Sequence, residues 1–194
     1  MARTSSRQRI VDATLGIATR SGPGAVTFEA VSAETGLTKA GVFYHFASRD
    51  DLLAAAAQHV LDEWETAARG HLGRPFDEAP LTERLAAFVR SVLDRDAGAG
   101  LRVLLGQVWG DDVEARWTAL VRSWTRAPGE RPSLGQRVVL LAAQGLWMDD
   151  LTEELEQGPA DRDEVVAWLL HALDTGTIPA TPTVSASTDP APPR

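Results

Sequence analysis

The sequence predicts an all-α protein: a compact trio of leading helices, then a larger helical body, about nine helices in total. Apolar residues recur at i, i+3, i+4 and i+7 in nearly every segment. No alternating pattern long enough for a strand occurs, and no internal repeat is visible. Short hydroxyl and carboxylate caps, with Gly and Pro breaks, punctuate the chain at helical intervals.

The elements follow in order. Ile10, Ala13, Thr14, Ile17 and Ala18 form one face of a first helix, capped by Thr4 or Ser5 and stopped by Ser21-Gly22-Pro23-Gly24. Thr27 caps a second helix to about Thr35, and Gly36 breaks it. Thr38 caps a third, Lys39 to Phe46. Ser48 with Asp51 resembles a capping box opening a fourth, through Leu52, Ala56, Val60 and Trp64 to about Arg69. Gly73 and Pro75 mark a loop. A fifth helix carries Leu81, Leu85, Phe88, Val89 and Val92, and a short sixth spans about 101–108. A seventh presents Val113, Trp117, Leu120, Val121 and Trp124. The eighth covers about 133–156, and Asp161, with Glu164 three residues on, caps a ninth. From Gly176 onward Thr, Pro, Ser and Ala dominate, too little apolar surface to offset ordering entropy. Residues 1–48, 49–176 and 177–194 are thus expected to be head domain, body domain and disordered tail.

Composition narrows the function. With 194 residues and no cysteine, a disulfide framework, a thiolate zinc site and a cysteine nucleophile are excluded. No run reaches the roughly 18 apolar residues of a membrane span, and the first residues lack a signal-peptide block. A soluble cytoplasmic protein without membrane contact is expected. No Gly-x-Ser-x-Gly elbow and no phosphate-binding glycine loop occurs, so no enzyme is expected. His59 and Glu63, spaced i, i+4, supply only two metal ligands, so a metal-binding helical bundle ranks last, and neither metal nor cofactor is assigned.

The net charge of −8 hides an asymmetry. Six basic and four acidic residues lie in the first 50, whereas the rest of the chain is strongly acidic. A basic head on an acidic body suits a polyanion contact in the head, although six basic residues in fifty is ordinary. The informative stretch is 27–49, TFEAVSAETGLTKAGVFYHFASR. Two short helices around a glycine turn fit a helix-turn-helix, whose second helix enters the major groove. Thr27, Thr38, Lys39, Tyr44, His45 and Arg49 are hydroxyls, cations and ring donors suited to phosphate oxygens, and the helix N-termini add N–H donors. Gly41 leaves the exposed face bare for close approach. On spacing alone, Tyr44 and His45 suit partly buried packing equally well.

These residues resemble the TetR family of bacterial transcriptional regulators, over Ile10–Ala18 and Gly22–Leu53 without gaps. The resemblance implies a homodimer that binds a palindromic double-stranded DNA operator through its first three helices, most often as a repressor. It also implies a body that senses a small molecule, here of unknown identity. Thr27, Thr38, Lys39, Tyr44, His45 and Arg49 fall at DNA-contacting positions, and Ala40 and Gly41 on the base-reading face. One departure is Phe43, where the family usually has tyrosine. Arg49 stands where lysine is usual.

For the body, the resemblance implies an apolar cavity with a few orienting polar groups. Trp64, Phe88, Trp109, Trp117, Trp124, Trp147 and Met148 are candidate linings, with Gln107, Gln144 and Asp149 as polar partners. Any single one of these aromatics is better explained as core. An inward Asp149 or Asp150 would suit a cationic guest. Small and apolar residues of the last two helices, Val138, Leu141, Ala142, Gly145, Val166, Leu169, Leu170 and Leu173, are expected to form a two-fold four-helix interface. A helical protein-interaction adaptor is the alternative reading, but it gives no reason for the cluster from Thr38 to Arg49.

Overall fold

The computed structural model describes residues 5–94, 111–152 and 158–175. Eight α-helices occur among them: α1 (Ser6–Ser21), α2 (Phe28–Thr35), α3 (Lys39–His45), α4 (Arg49–Gly70), α5 (Leu81–Leu93), α6 (Asp111–Thr125), α7 (Leu134–Thr152) and α8 (Pro159–Thr175). Short 3-10 turns lie at Pro23–Ala25 and Phe76–Glu78. The expected sixth helix at 101–108 and the tail lie outside the described residues.

Local chemistry sets most boundaries. The side chains of Ser5, Thr27, Thr38 and Ser48 each accept a hydrogen bond from the backbone N–H three residues on. The Ser48 N–H in turn donates to the Asp51 carboxylate at 2.9 Å, completing a capping box. Gly36 ends α2 at φ 67°, a left-handed value that penalises any residue with a Cβ. The last helix corrects the expectation: α8 begins at Pro159, and the Arg162 N–H bonds to the Gly158 carbonyl. Asp161 therefore sits inside the first turn rather than at the cap, because proline suits the opening position of a helix.

Two apolar cores result. Ile10, Val11, Ile17, Val26, Val31, Val42, Phe46, Leu52 and Leu53 close the head. The body core gathers Val60, Leu61, Trp64, Leu85, Phe88, Val89, Leu120, Trp124, Val139, Leu146, Leu169 and Leu173. Helix α4 belongs to both, its first turns packing in the head and the rest in the body. In the body Trp64 meets Phe88, Trp117 and Trp124 edge-on, with centroids 5.5, 5.8 and 6.2 Å away. Edge-to-face contact directs a positive ring edge at a negative ring face. Trp124 is also edge-on to Phe76 at 4.8 Å, and the guanidinium groups of Arg69 and Arg84 lie 4.6 and 4.4 Å from that phenyl ring.

One ion pair is built into the body. Arg162 donates to both carboxylate oxygens of Asp150, at 2.6 to 3.0 Å, and to the Leu93 carbonyl at 2.8 Å. The Asp150 hydrogen bond raises the guanidinium pKa above its ordinary value, with burial opposing. Arg162 thus ties α7, α8 and the end of α5 together, and its partner Asp150 is not offered to a guest.

Candidate DNA-reading face and effector cavity

The head carries its polar set outward. Thr27, Thr38, Lys39, Ala40, Tyr44 and Arg49 are exposed, and His45 is half-buried. Tyr44 is 86% exposed, which removes the packing explanation for it. Its ring meets that of His45 edge-on at 5.2 Å. Thr27 and Thr38 use an oxygen lone pair for the cap, and a hydroxyl so engaged keeps its O–H to donate outward.

Three positions hold more than their spacing reveals. Lys39 is ion-paired to Glu29 across the α2–α3 crossing, and its ammonium lies 5.9 Å from the Phe43 ring centre. Arg49 donates to the Val26 carbonyl at 2.9 Å and the Pro23 carbonyl at 2.6 Å, bracing the start of α4 against the 3-10 turn. Two of its five donors are occupied there. Gly41 is half-buried, and a Cβ there would lie 3.2 Å from the Thr38 hydroxyl. Its bareness serves the cap as well as any approaching base.

Phe43, where the sequence departs from tyrosine, has a packing role. Its ring stacks on Phe28 with centroids 3.8 Å apart and planes 2° from parallel. Sequence reasoning missed the roles of Phe28 and Glu29. The readable signal was their placement beside the cap Thr27.

In the body a cavity of about 240 Å³ is bounded, among the described residues, by Trp64, Phe88, Ser91, Val92, Trp117, Gln144, Trp147 and Met148. Six of these were expected. Ser91 and Val92 were not, although a serine inside the apolar run of α5 was a usable clue. The Ser91 hydroxyl donates to the Ala87 carbonyl at 2.9 Å, its bond within the helix. Gln107 and Trp109 lie outside the described residues. Trp124 is fully buried and absent from this lining, so it is a core residue rather than a ligand contact. Asp149 is buried and likewise absent from the lining.

Polar contacts join α4 to α6 on one side and to α1 on the other. Arg116, next to Trp117, donates to the Gln58 side chain and carbonyl and pairs with Asp62. One residue on from Gln58, His59 lies 3.3 Å from Glu63 and 3.8 Å from Asp12 of α1, and 3.4 Å from Gln8. The i, i+4 pair His59/Glu63 is thus occupied in a junction between α1 and α4. Among the described residues no cluster of three or more His, Asp or Glu is placed to hold a metal, and no helix is long and apolar enough to cross a membrane.

The interface expectation divides. Leu169 and Leu173 are each 1% exposed and pack in the body's own core, so they are not surface residues. Val166 and Leu170 are half-buried against that core. On α7, Leu134, Val138, Leu141, Gly145 and Met148 are exposed and alternate at spacings of four and three, with Ala142 beside them. That spacing makes one continuous stripe on a helix.

Residues 10–56 match the model of the bacterial regulatory proteins of the tetR family. None of the curated proteins matches the chain in sequence. Solved structures do match in fold. The multidrug binding protein EbrR, complexed with imidazole, is 24% identical, with TM-score 0.56 over 93% of this chain and 99% of that one. A transcriptional regulator from Rhodococcus sp. Rha1 is 14% identical, with TM-score 0.62 over 91% and 100%. A TetR-family member from Streptomyces coelicolor A3 is 21% identical, with TM-score 0.60 over 87% and 98%. The family's helix-turn-helix segment is thus matched in sequence over residues 10–56, and the all-α fold around it is matched by these solved structures.

Proposed function

We propose that the protein is a homodimeric cytoplasmic repressor that binds a palindromic operator and is released by a small lipophilic effector. The exposed Tyr44, standing with the cap hydroxyls of Thr27 and Thr38 and with Lys39 on one face of the head, carries the DNA part of this reading. A phenol in water has no packing role, whereas its O–H suits a phosphate oxygen. The α7 stripe supplies the self-association surface: large apolar side chains left in water at heptad spacing are stabilised by burial against a second copy. The division of labour falls inside α4, whose Leu52 and Leu53 close the head core.

The cavity suggests the effector's chemistry. Three indoles and a phenyl ring line it, with Gln144 and Ser91 as polar groups and no charged side chain among the described lining residues. A cavity of about 240 Å³ exceeds one that accommodates benzene, so roughly two aromatic rings fit. EbrR's complexes with imidazole and with malachite green make aromatic cations, alongside neutral bicyclic compounds, a reasonable first panel. A bound effector would displace Trp117, and with it Arg116, whose bonds to Gln58 and Asp62 shift α4 and the head it carries.

The test is a band-shift titration with duplexes from upstream of the protein's own coding region, at several salt concentrations. Binding of a dimer at nanomolar to micromolar protein is expected, weakened by Tyr44→Phe and abolished at high salt. A monomer that ignores every such duplex at low ionic strength would refute the reading.

A further inference from the structure

Glu29 is the unexplained residue of the DNA-reading face. It is an exposed carboxylate on the first turn of α2, on a surface meant to meet phosphates, where a negative charge is repelled. Its oxygen pairs with the ammonium of Lys39, the first residue of α3. Both side chains stay largely in water, at 67% and 54% exposure. The coplanar Phe28–Phe43 stack, built from the residue before Glu29 and a residue one turn beyond Lys39, fixes the two helices at that crossing. Acceptor and donor are therefore presented side by side, outward, on a rigid support.

That juxtaposition has a chemical complement. Across the major-groove edge of a G·C pair lie two acceptors, guanine N7 and O6, and then the cytosine N4 amino donor. An ammonium beside a carboxylate matches that order. At an A·T pair the last group is thymine O4, an acceptor that a carboxylate repels. Resting on the DNA-binding reading above, we propose that Glu29 and Lys39 act as one unit that reads a single G·C pair in each half-site. Lys39 donates to guanine and Glu29 accepts from the cytosine amino group. Glu29 is then a specificity residue as well as a partner that orients Lys39.

The experiment uses the full chain. Duplexes are selected from a randomised pool by the wild-type protein, and affinities are measured for the selected site and for versions with each G·C pair changed to A·T. One symmetric G·C position is expected at which the change costs roughly tenfold or more in affinity. In Glu29→Ala and Glu29→Gln that position-specific ratio collapses, while binding to random duplex is unchanged or tighter because a repelled charge is gone. Lys39→Met loses the same position, and the double variant loses no more than either single one. Matching circular dichroism melts guard against misfolding, and Glu29→Gln preserves shape if the alanine variant is impaired. If Glu29→Ala raises affinity for all sequences alike and keeps the ratio, Glu29 merely screens Lys39 and the proposal is wrong. If the wild type selects no sequence at all, the DNA-binding reading falls first and this one with it.

Discussion

The head and the body are both helical and share α4, but they spend their side chains in opposite directions. The head seals a core of Ile, Val and Leu and faces its polar residues outward, with Tyr44 almost wholly in water. The body turns its largest rings inward, so that Trp64 and Trp124 are essentially inaccessible and a cavity opens beside them. The two ion pairs show the same contrast. Lys39–Glu29 sits in solvent between two helices of the head, whereas Asp150–Arg162 is sealed among α5, α7 and α8. An exposed pair is free to exchange its partner for a ligand, and a sealed one can only hold structure.

The sharpest way to break this comparison is Asp150→Ala. It strands the Arg162 guanidinium with the Leu93 carbonyl as its remaining described acceptor, and should cost about 3–5 kcal/mol in urea unfolding. A loss near that of an exposed pair would show that the body does not depend on its sealed charges. Trp124→Ala should follow, at about 3 kcal/mol or more, because the ring is fully buried and stands edge-on to Trp64 and Phe76, outside the cavity lining. Trp117→Ala, at a half-buried ring, should destabilise less while removing effector-induced quenching of tryptophan fluorescence. Equal losses at the two positions would erase the distinction between core and cavity wall.

In the head the expected effects are smaller and of another kind. Thr38→Ala removes the cap of α3 and should cost about 1 kcal/mol, with a larger proportional loss in DNA affinity because the hydroxyl donor goes too. Smallest of all is the pH response of Glu29. The hydrogen bond from Lys39 holds its carboxyl below the usual value of 4.5. A depressed folded-state value means that the pair's contribution is complete above the unfolded value and fades only as pH falls through the lower one. Lowering the pH from 7 to 5 should therefore leave the pair intact, and the carboxyl titration followed by NMR should return toward the ordinary midpoint in Lys39→Met. An unchanged midpoint in that variant would remove the pair from solution.

How much was legible follows from distance along the chain. Helix starts at Ser5, Thr27, Thr38 and Ser48 were readable because a cap joins residues three apart, and the turn at Gly36 because its φ penalises side chains. The polar segment proposed to meet DNA was readable for the same reason: the residues from Thr38 to Arg49 are contiguous. Arg49 shows the limit, since its acceptors Pro23 and Val26 lie more than twenty residues away. In the last helix, periodicity grouped Leu169 and Leu173 correctly on one face but was silent about whether that face met its own core or a second copy.

Composition and spacing alone determined the helical class, the caps, the glycine turn and the polar segment of the head, because each depends on groups within about one turn of one another. Tertiary packing decided which tryptophans are wall and which are core, that Asp150 is tied to Arg162, that Phe43 stacks on Phe28, and that Glu29 meets Lys39. Each of these joins groups on different helices, and helical periodicity says which face a residue occupies but not what that face will touch.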